Sequence, residues 1–198
     1  LDLIQEGIGL DKHGILLSDI FRVRLLHKYG GVYSDFDTLW LRPMNDFQNI
    51  DCIGDPNDFE TTCCFFRYKY SHHNNSNIIS EPNGNYLKSI IDKQNEIMSK
   101  RNVYRHQEFN TDLLNEMYPV WENIREKYQR ILNIKYSTFY PYSILNFEQL
   151  YKQNDLSPIT DKVMAVHWFN GHELSQEFIK LNFPECSMTL LLKKENLI

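Results

Sequence analysis

The chain has 198 residues, 42% hydrophobic and 24% charged, which suits one globular domain with a substantial core. A net charge of −5 argues against a duplex nucleic-acid binder, which needs a basic surface. No run approaches the roughly 20 apolar residues needed to cross a bilayer, and no secretory leader is visible.

The chain opens on Leu1 and reads as a fragment of one domain, residues 1–198. Gly7, Gly9 and Gly14 predict a weakly patterned lead-in over residues 1–16, too broken for a long helix. Ser18 is a good N-cap, so a helix is expected from there to Tyr29, stopped by Gly30. Its apolar residues (Ile20, Phe21, Val23, Leu25, Leu26, Tyr29) wrap most of the circumference and predict burial against a sheet. Val32 to Ser34 and Thr38 to Leu41 read as short strands, the second ended by Pro43.

Cys63 to Tyr68 and Asn77 to Ser80 predict two more strands, separated by the polar loop SHHNNSN. His72 and His73 belong to that loop and lack acids at ligand spacing, so a solvated role is expected. Asn74-Asn75-Ser76 within it spells a glycosylation sequon, meaningful only in a secreted protein. A helix over about 86–99 carries Leu87, Ile90, Ile91 and Ile97 at helical spacing. Helical stretches follow over about 108–118 and 121–124, then strands at 131–134 and 164–168. Alternating helices and strands predict an α/β domain with a mixed sheet. The four cysteines form no C-x-x-C pair, which disfavours structural zinc and casts them as packing residues in either redox compartment.

Chemistry gathers between Ser18 and Asp37. Asp35 and Asp37 alternate at a strand end, where residues i and i+2 of an extended chain point the same way. Two such carboxylates can share a hard divalent cation through oxygen ligands. On the preceding helix Asp19 and Arg22 stand three apart and share a face. An acid and a guanidinium on an apolar helix are costly to bury unless something uses them. The pair of clusters suggests a metal ion and a polar, phosphate-bearing ligand.

The string S-D-x-x-R-x-x-x-L-x-x-x-G-G-x-Y-x-D-x-D, spelled by Ser18, Asp19, Arg22, Leu26, Gly30, Gly31, Tyr33, Asp35 and Asp37, resembles a known signature. It is that of DXD-motif sugar-nucleotide glycosyltransferases of the glycosyltransferase family 32 type. Relatives include α-1,4-galactosyltransferases, fungal α-1,6-mannosyltransferases and, distantly, glucosyltransferase domains of clostridial toxins. Weaker similarity continues through Asn77 to Pro82, Phe139-Tyr140-Pro141 and Ala165-Val166-His167-Trp168. Departures are also visible. Phe109-Asn110-Thr111-Asp112 stands where a Gly-Pro pair is usual, and the family's first βαβ segment is hardly present before Ser18. Toxin-like relatives lack the late His.

The resemblance implies a GT-A-like fold and retaining, metal-dependent transfer from a nucleotide sugar, with a UDP-hexose as the expected donor. The acceptor would be a glycan, lipid or protein. Asp35, Asp37 and His167 would hold Mn²⁺ or Mg²⁺. Asp19 and Arg22 would bind donor-sugar hydroxyls, and Gly30, Gly31, Asp35, Asn77, Trp168 and Asn170 would complete the donor contacts. Asp19, Arg22, Asp35 and Asp37 form the expected catalytic set. No enzymic base is required if the departing phosphate takes the acceptor's proton.

Two other classes share part of this pattern. A haloacid-dehalogenase-type phosphatase also carries D-x-D, but it wants Thr four residues after its first Asp, where Leu39 stands. A sugar-nucleotide-binding module without catalysis would keep the same acids. Walker A, G-x-S-x-G and dinucleotide glycine patterns are absent from the sequence.

Overall fold

A computed structural model describes residues 10–47, 50–67, 71–74, 76–100, 104 and 108–198. They fall into two compact units. The first takes the chain through Tyr33 and Ile53–Asn133; the second takes Ser34–Cys52 and Ile134–Ile198. The lead-in glycines Gly7 and Gly9 lie outside the described residues.

The first unit begins with α1 (Leu10–Tyr29). This helix starts eight residues before the expected cap and runs through Gly14. A lone glycine costs a helix only about 1 kcal/mol against alanine, too little to stop it. Gly14 also meets no neighbouring atom that would penalise or reward a side chain there. Ser18, freed from capping, turns its hydroxyl to Tyr33 Oη at 3.1 Å.

Burial of α1 is one-sided, not all round as its composition suggests. Ile20, Val23 and Leu26 are buried, whereas Phe21, Leu25 and Tyr29 are exposed. Residues three apart share a face, so Asp19 and Arg22 go into the interior alongside the buried aliphatics. Gly30, at φ +66°, ends the helix with its N–H on the Leu26 carbonyl at 2.8 Å. A Cβ there would lie 2.8 Å from Pro82 Cδ and 3.0 Å from the Ser80 carbonyl, so only glycine fits.

The strands of the larger sheet are β1 (Gly31–Ser34), β3 (Cys52–Ile53), β4 (Thr61–Arg67), β5 (Ser71–Asn74), β6 (Asn77–Ser80) and β7 (Ile131–Ile134), with β2 (Thr38–Trp40) in a separate pair. Their order is β1-β6-β4-β7-β3, with β5 also on β4. The β4–β7 pairing is parallel and the β4–β6 and β4–β5 pairings are antiparallel, giving the mixed sheet expected of a GT-A-like fold. Helices α2 (Asn85–Lys100), α3 (Thr111–Met117) and α4 (Trp121–Lys127) pack with α1 around it. Val23, Leu26, Cys63, Ile78, Leu87, Ile90, Leu113, Ile124 and Ile131 form one core.

The polar loop expected at SHHN is strand β5, with His73 opposite Phe65. His73 is buried, and its Nε2–H donates to the Tyr118 carbonyl at 2.7 Å. A polar sequence forms a strand here because β4 pairs with one edge, while Asn115 and Thr111 meet the His73 N–H and carbonyl and Tyr118 takes its Nε2–H.

The second unit pairs β2 with β8 (Ala165–His167) in antiparallel register: Thr38 with His167, Leu39 with Val166, Trp40 with Ala165. Around them stand α5 (Glu148–Lys152), α6 (Glu173–Lys180) and α7 (Ser187–Lys194), helices for which the sequence reading made no assignment. Their core joins Tyr142, Leu150, Val163, Val166, Phe178, Met188 and Leu191. Cys63, Cys64 and Cys186 are buried free thiols, in keeping with packing roles, while Cys52 is half-buried. Burial pushes the Cys64 thiol up to about 12, far from thiolate reactivity.

Candidate metal and donor-sugar residues

In the second unit the chain leaves Asp35 in a turn, closed by the Thr38 N–H on the Asp35 carbonyl at 3.1 Å. The two acids therefore do not alternate along an extended strand. Phe36 sits at the turn tip, fully exposed. The turn feeds β2, whose register against β8 brings His167 alongside Asp37. Ligand atoms of Asp35, Asp37 and His167 all lie within 4.8 Å of one another, and the three residues are half-buried.

Asp37 is held from several directions. His167 Nε2 lies 3.1 Å from its Oδ1, and the Asn170 N–H donates to its Oδ2 at 3.0 Å. The Trp168 N–H donates to its carbonyl at 2.9 Å. Partial burial pushes its carboxyl up, but the His167 hydrogen bond and charge and the Asn170 N–H outweigh that and hold it below the usual range. Asp37 is thus kept as an anion, the form that ligates a cation. On His167 the Phe169 N–H reaches Nδ1 at 3.3 Å, which leaves Nε2 as the ring nitrogen that faces Asp37. Two carboxylates and an imidazole within reach of one point are a fitting donor set for Mn²⁺ or Mg²⁺.

In the first unit Asp19 is 1% and Arg22 6% exposed, joined by a 2.9 Å ion pair. The guanidinium also lies over the Tyr33 ring, 4.3 Å from its centroid, and donates to the Ser18 hydroxyl at 3.3 Å. Asn110 Nδ2 donates to Asp19 Oδ1 at 3.0 Å. A buried ion pair of this kind gives no assured stability, since desolvation of both charges offsets their attraction.

The other expected donor residues fall in both units. Gly30 and Gly31 shape the α1–β1 turn, with Gly31 at φ +100° and open space beside it. Asn77 is buried in β6, its amide donating to Ser76 Oγ at 3.2 Å. Trp168 and Asn170 follow β8, and both give their backbone N–H groups to Asp37.

Sequence reasoning passed over the supports of these residues. Tyr33, one member of the string, packs against the core and is also the platform beneath Arg22. Asn110 stands where a Gly-Pro pair was expected, and only its fold-level return to Asp19, 91 positions away, reveals it. Ser175 and Gln176 on α6 carried no signal at all.

Residues 9–59 match the family model for the glycosyltransferase sugar-binding region containing a DXD motif. No curated protein and no solved structure matches the chain. The matched segment carries Asp19, Arg22, Asp35 and Asp37, and supports a glycosyltransferase-type family.

Proposed function

We propose that this protein is a divalent-metal-dependent glycosyltransferase that moves a hexose from a nucleotide sugar, a UDP-hexose in the first instance, to a glycan, lipid or protein acceptor. The observation that carries this reading is the Asp35–Asp37–His167 cluster, whose two acids lie within the matched sugar-binding region. The two units share the chain discontinuously, which fits a single transferase domain over residues 1–198 better than two tandem ones.

Asp35, Asp37 and His167 hold the cation, with Asp37 kept ionised by its neighbours. When bound, Mn²⁺ or Mg²⁺ supplies positive charge that neutralises the nucleoside diphosphate as it departs. Asp19 and Arg22 orient donor-sugar hydroxyls, and Tyr33 and Asn110 keep those two side chains in place. Asn77, Trp168, Asn170 and the Gly30–Gly31 turn contribute further donor contacts. Transfer is retaining, in line with the family resemblance, and the departing phosphate accepts the acceptor's proton.

Hydrolysis of a panel of UDP- and GDP-sugars, with and without Mn²⁺, tests the proposal. Metal-dependent release of nucleoside diphosphate from at least one donor is expected. Tight binding of a sugar nucleotide without turnover would reassign the protein as a binding module.

A further inference from the structure

The loop after β8, residues 168–172, is tied down carbonyl by carbonyl. The Tyr151 hydroxyl donates to the Trp168 carbonyl. Burial raises the Tyr151 phenol's pKa, so it stays a donor. Ser175 Oγ lies 2.6 Å from the Phe169 carbonyl and 2.7 Å from that of His172, and its single proton serves both. Gln176 Nε2 donates to the Asn170 carbonyl at 2.7 Å and to Asn170 Oδ1 at 3.0 Å. Ser175 is fully buried, so its hydroxyl is committed to this loop.

These bonds enforce an uncommon backbone. Phe169 stands at φ +53°, a left-handed conformation that a bulky L-residue adopts only where its surroundings dictate it. Its ring packs against Phe147 and His167, with centroids 5.2 and 4.6 Å away. The reversal at Phe169 is what turns the Asn170 N–H back toward Asp37 Oδ2. The Trp168 N–H, one residue earlier, takes the Asp37 carbonyl. The anchored loop thus presents the Asn170 N–H to the Asp37 carboxylate and the Trp168 N–H to the Asp37 carbonyl.

We propose that Ser175 and Gln176 are positioning residues that clamp the 168–172 loop so that the Asn170 N–H fixes the Asp37 carboxylate for cation binding. This inference rests on the metal reading of the Asp35–Asp37–His167 cluster. Groups that orient a ligand from behind typically govern metal affinity by ten- to hundredfold, with little effect on overall stability when they lie at the surface. Gln176 is exposed, so its loss spares the fold.

The test is Mn²⁺ titration of the protein, read by electron paramagnetic resonance, alongside thermal unfolding and amide hydrogen exchange. Gln176→Ala weakens Mn²⁺ binding roughly tenfold, speeds exchange at the Asn170 amide and leaves Tm unchanged. Ser175→Ala weakens binding at least as much, with some loss of Tm. Glu177→Ala, the exposed neighbour on the same helix, changes none of the three. Wild-type Mn²⁺ affinity and wild-type Asn170 exchange in both Gln176→Ala and Ser175→Ala would overturn the clamp while leaving the metal reading intact. A wild-type protein that fails to bind Mn²⁺ would overturn the metal reading and the clamp with it.

Discussion

His167 Nε2 and Asp37 Oδ1 stand 3.1 Å apart, although 130 positions separate them in the chain. The antiparallel register of Thr38 against His167 makes the meeting unavoidable. His167 is among the causes that hold the Asp37 carboxyl low, second only to the opposing effect of burial. His167→Ala therefore raises the Asp37 pKa, measurable by carboxyl-carbon NMR titration, and weakens Mn²⁺ binding at least tenfold. An unmoved Asp37 titration would show that burial and the Asn170 N–H alone set its charge.

The Asp19–Arg22 pair yields a stability prediction. Both side chains are almost fully buried, so Asp19→Ala leaves the guanidinium without its closest anion. Losing one partner of a buried pair costs about 3–5 kcal/mol. The double substitution Asp19→Asn with Arg22→Met should cost clearly less than the two single changes added together. Urea unfolding of wild type, Asp19→Asn, Arg22→Met and the double variant measures the coupling.

His73 gives a pH dependence with a definite sign. Burial lowers its pKa from the ordinary 6.5 to about 4, opposed in part by the bond to the Tyr118 carbonyl. The unfolded chain therefore binds a proton at His73 between those values while the folded chain does not. Stability from this residue is complete above pH 6.5 and falls as the pH drops toward 4, by about 3 kcal/mol in all. His73→Gln flattens that part of the Tm–pH curve. An unchanged slope would place the acid sensitivity elsewhere.

Gly30 and Gly31 separate strain from contact. Both have positive φ, but only at Gly30 would a Cβ strike Pro82 and the Ser80 carbonyl. Gly31→Ala costs about 1–2 kcal/mol from the backbone alone. Gly30→Ala costs more, since backbone atoms of β6 must also move. Chemical denaturation of the two variants ranks them, and equal costs would contradict the close approach to Pro82.

Local features were the legible ones. Helix α2, strands β4, β6 and β7, and the Ser18–Asp37 string could be read because each lies within one short stretch of chain. Gly14 misled because a single glycine looks like a breaker but costs too little to interrupt a helix already under way. The polar stretch of β5 misled because hydrophobic alternation cannot see its pairing with β4, the side chains of Asn115 and Thr111 on the His73 backbone, or a His73 imidazole met by Tyr118. The Asp35–Phe36–Asp37 segment is a turn, and the alternation expected of a strand does not describe it. Asn110, Ser175 and Gln176 act through tertiary hydrogen bonds between distant segments, and no local pattern marks such partners.

The central claim is that Asp37 ligates a cation needed for sugar transfer. Its most direct test is nucleoside-diphosphate release from the preferred sugar nucleotide at saturating Mn²⁺, comparing wild type with Asp37→Ala. Release should fall by at least a hundredfold in the variant while its thermal unfolding stays cooperative. Equal turnover in the two proteins, or turnover indifferent to Mn²⁺ in the wild type, would contradict it.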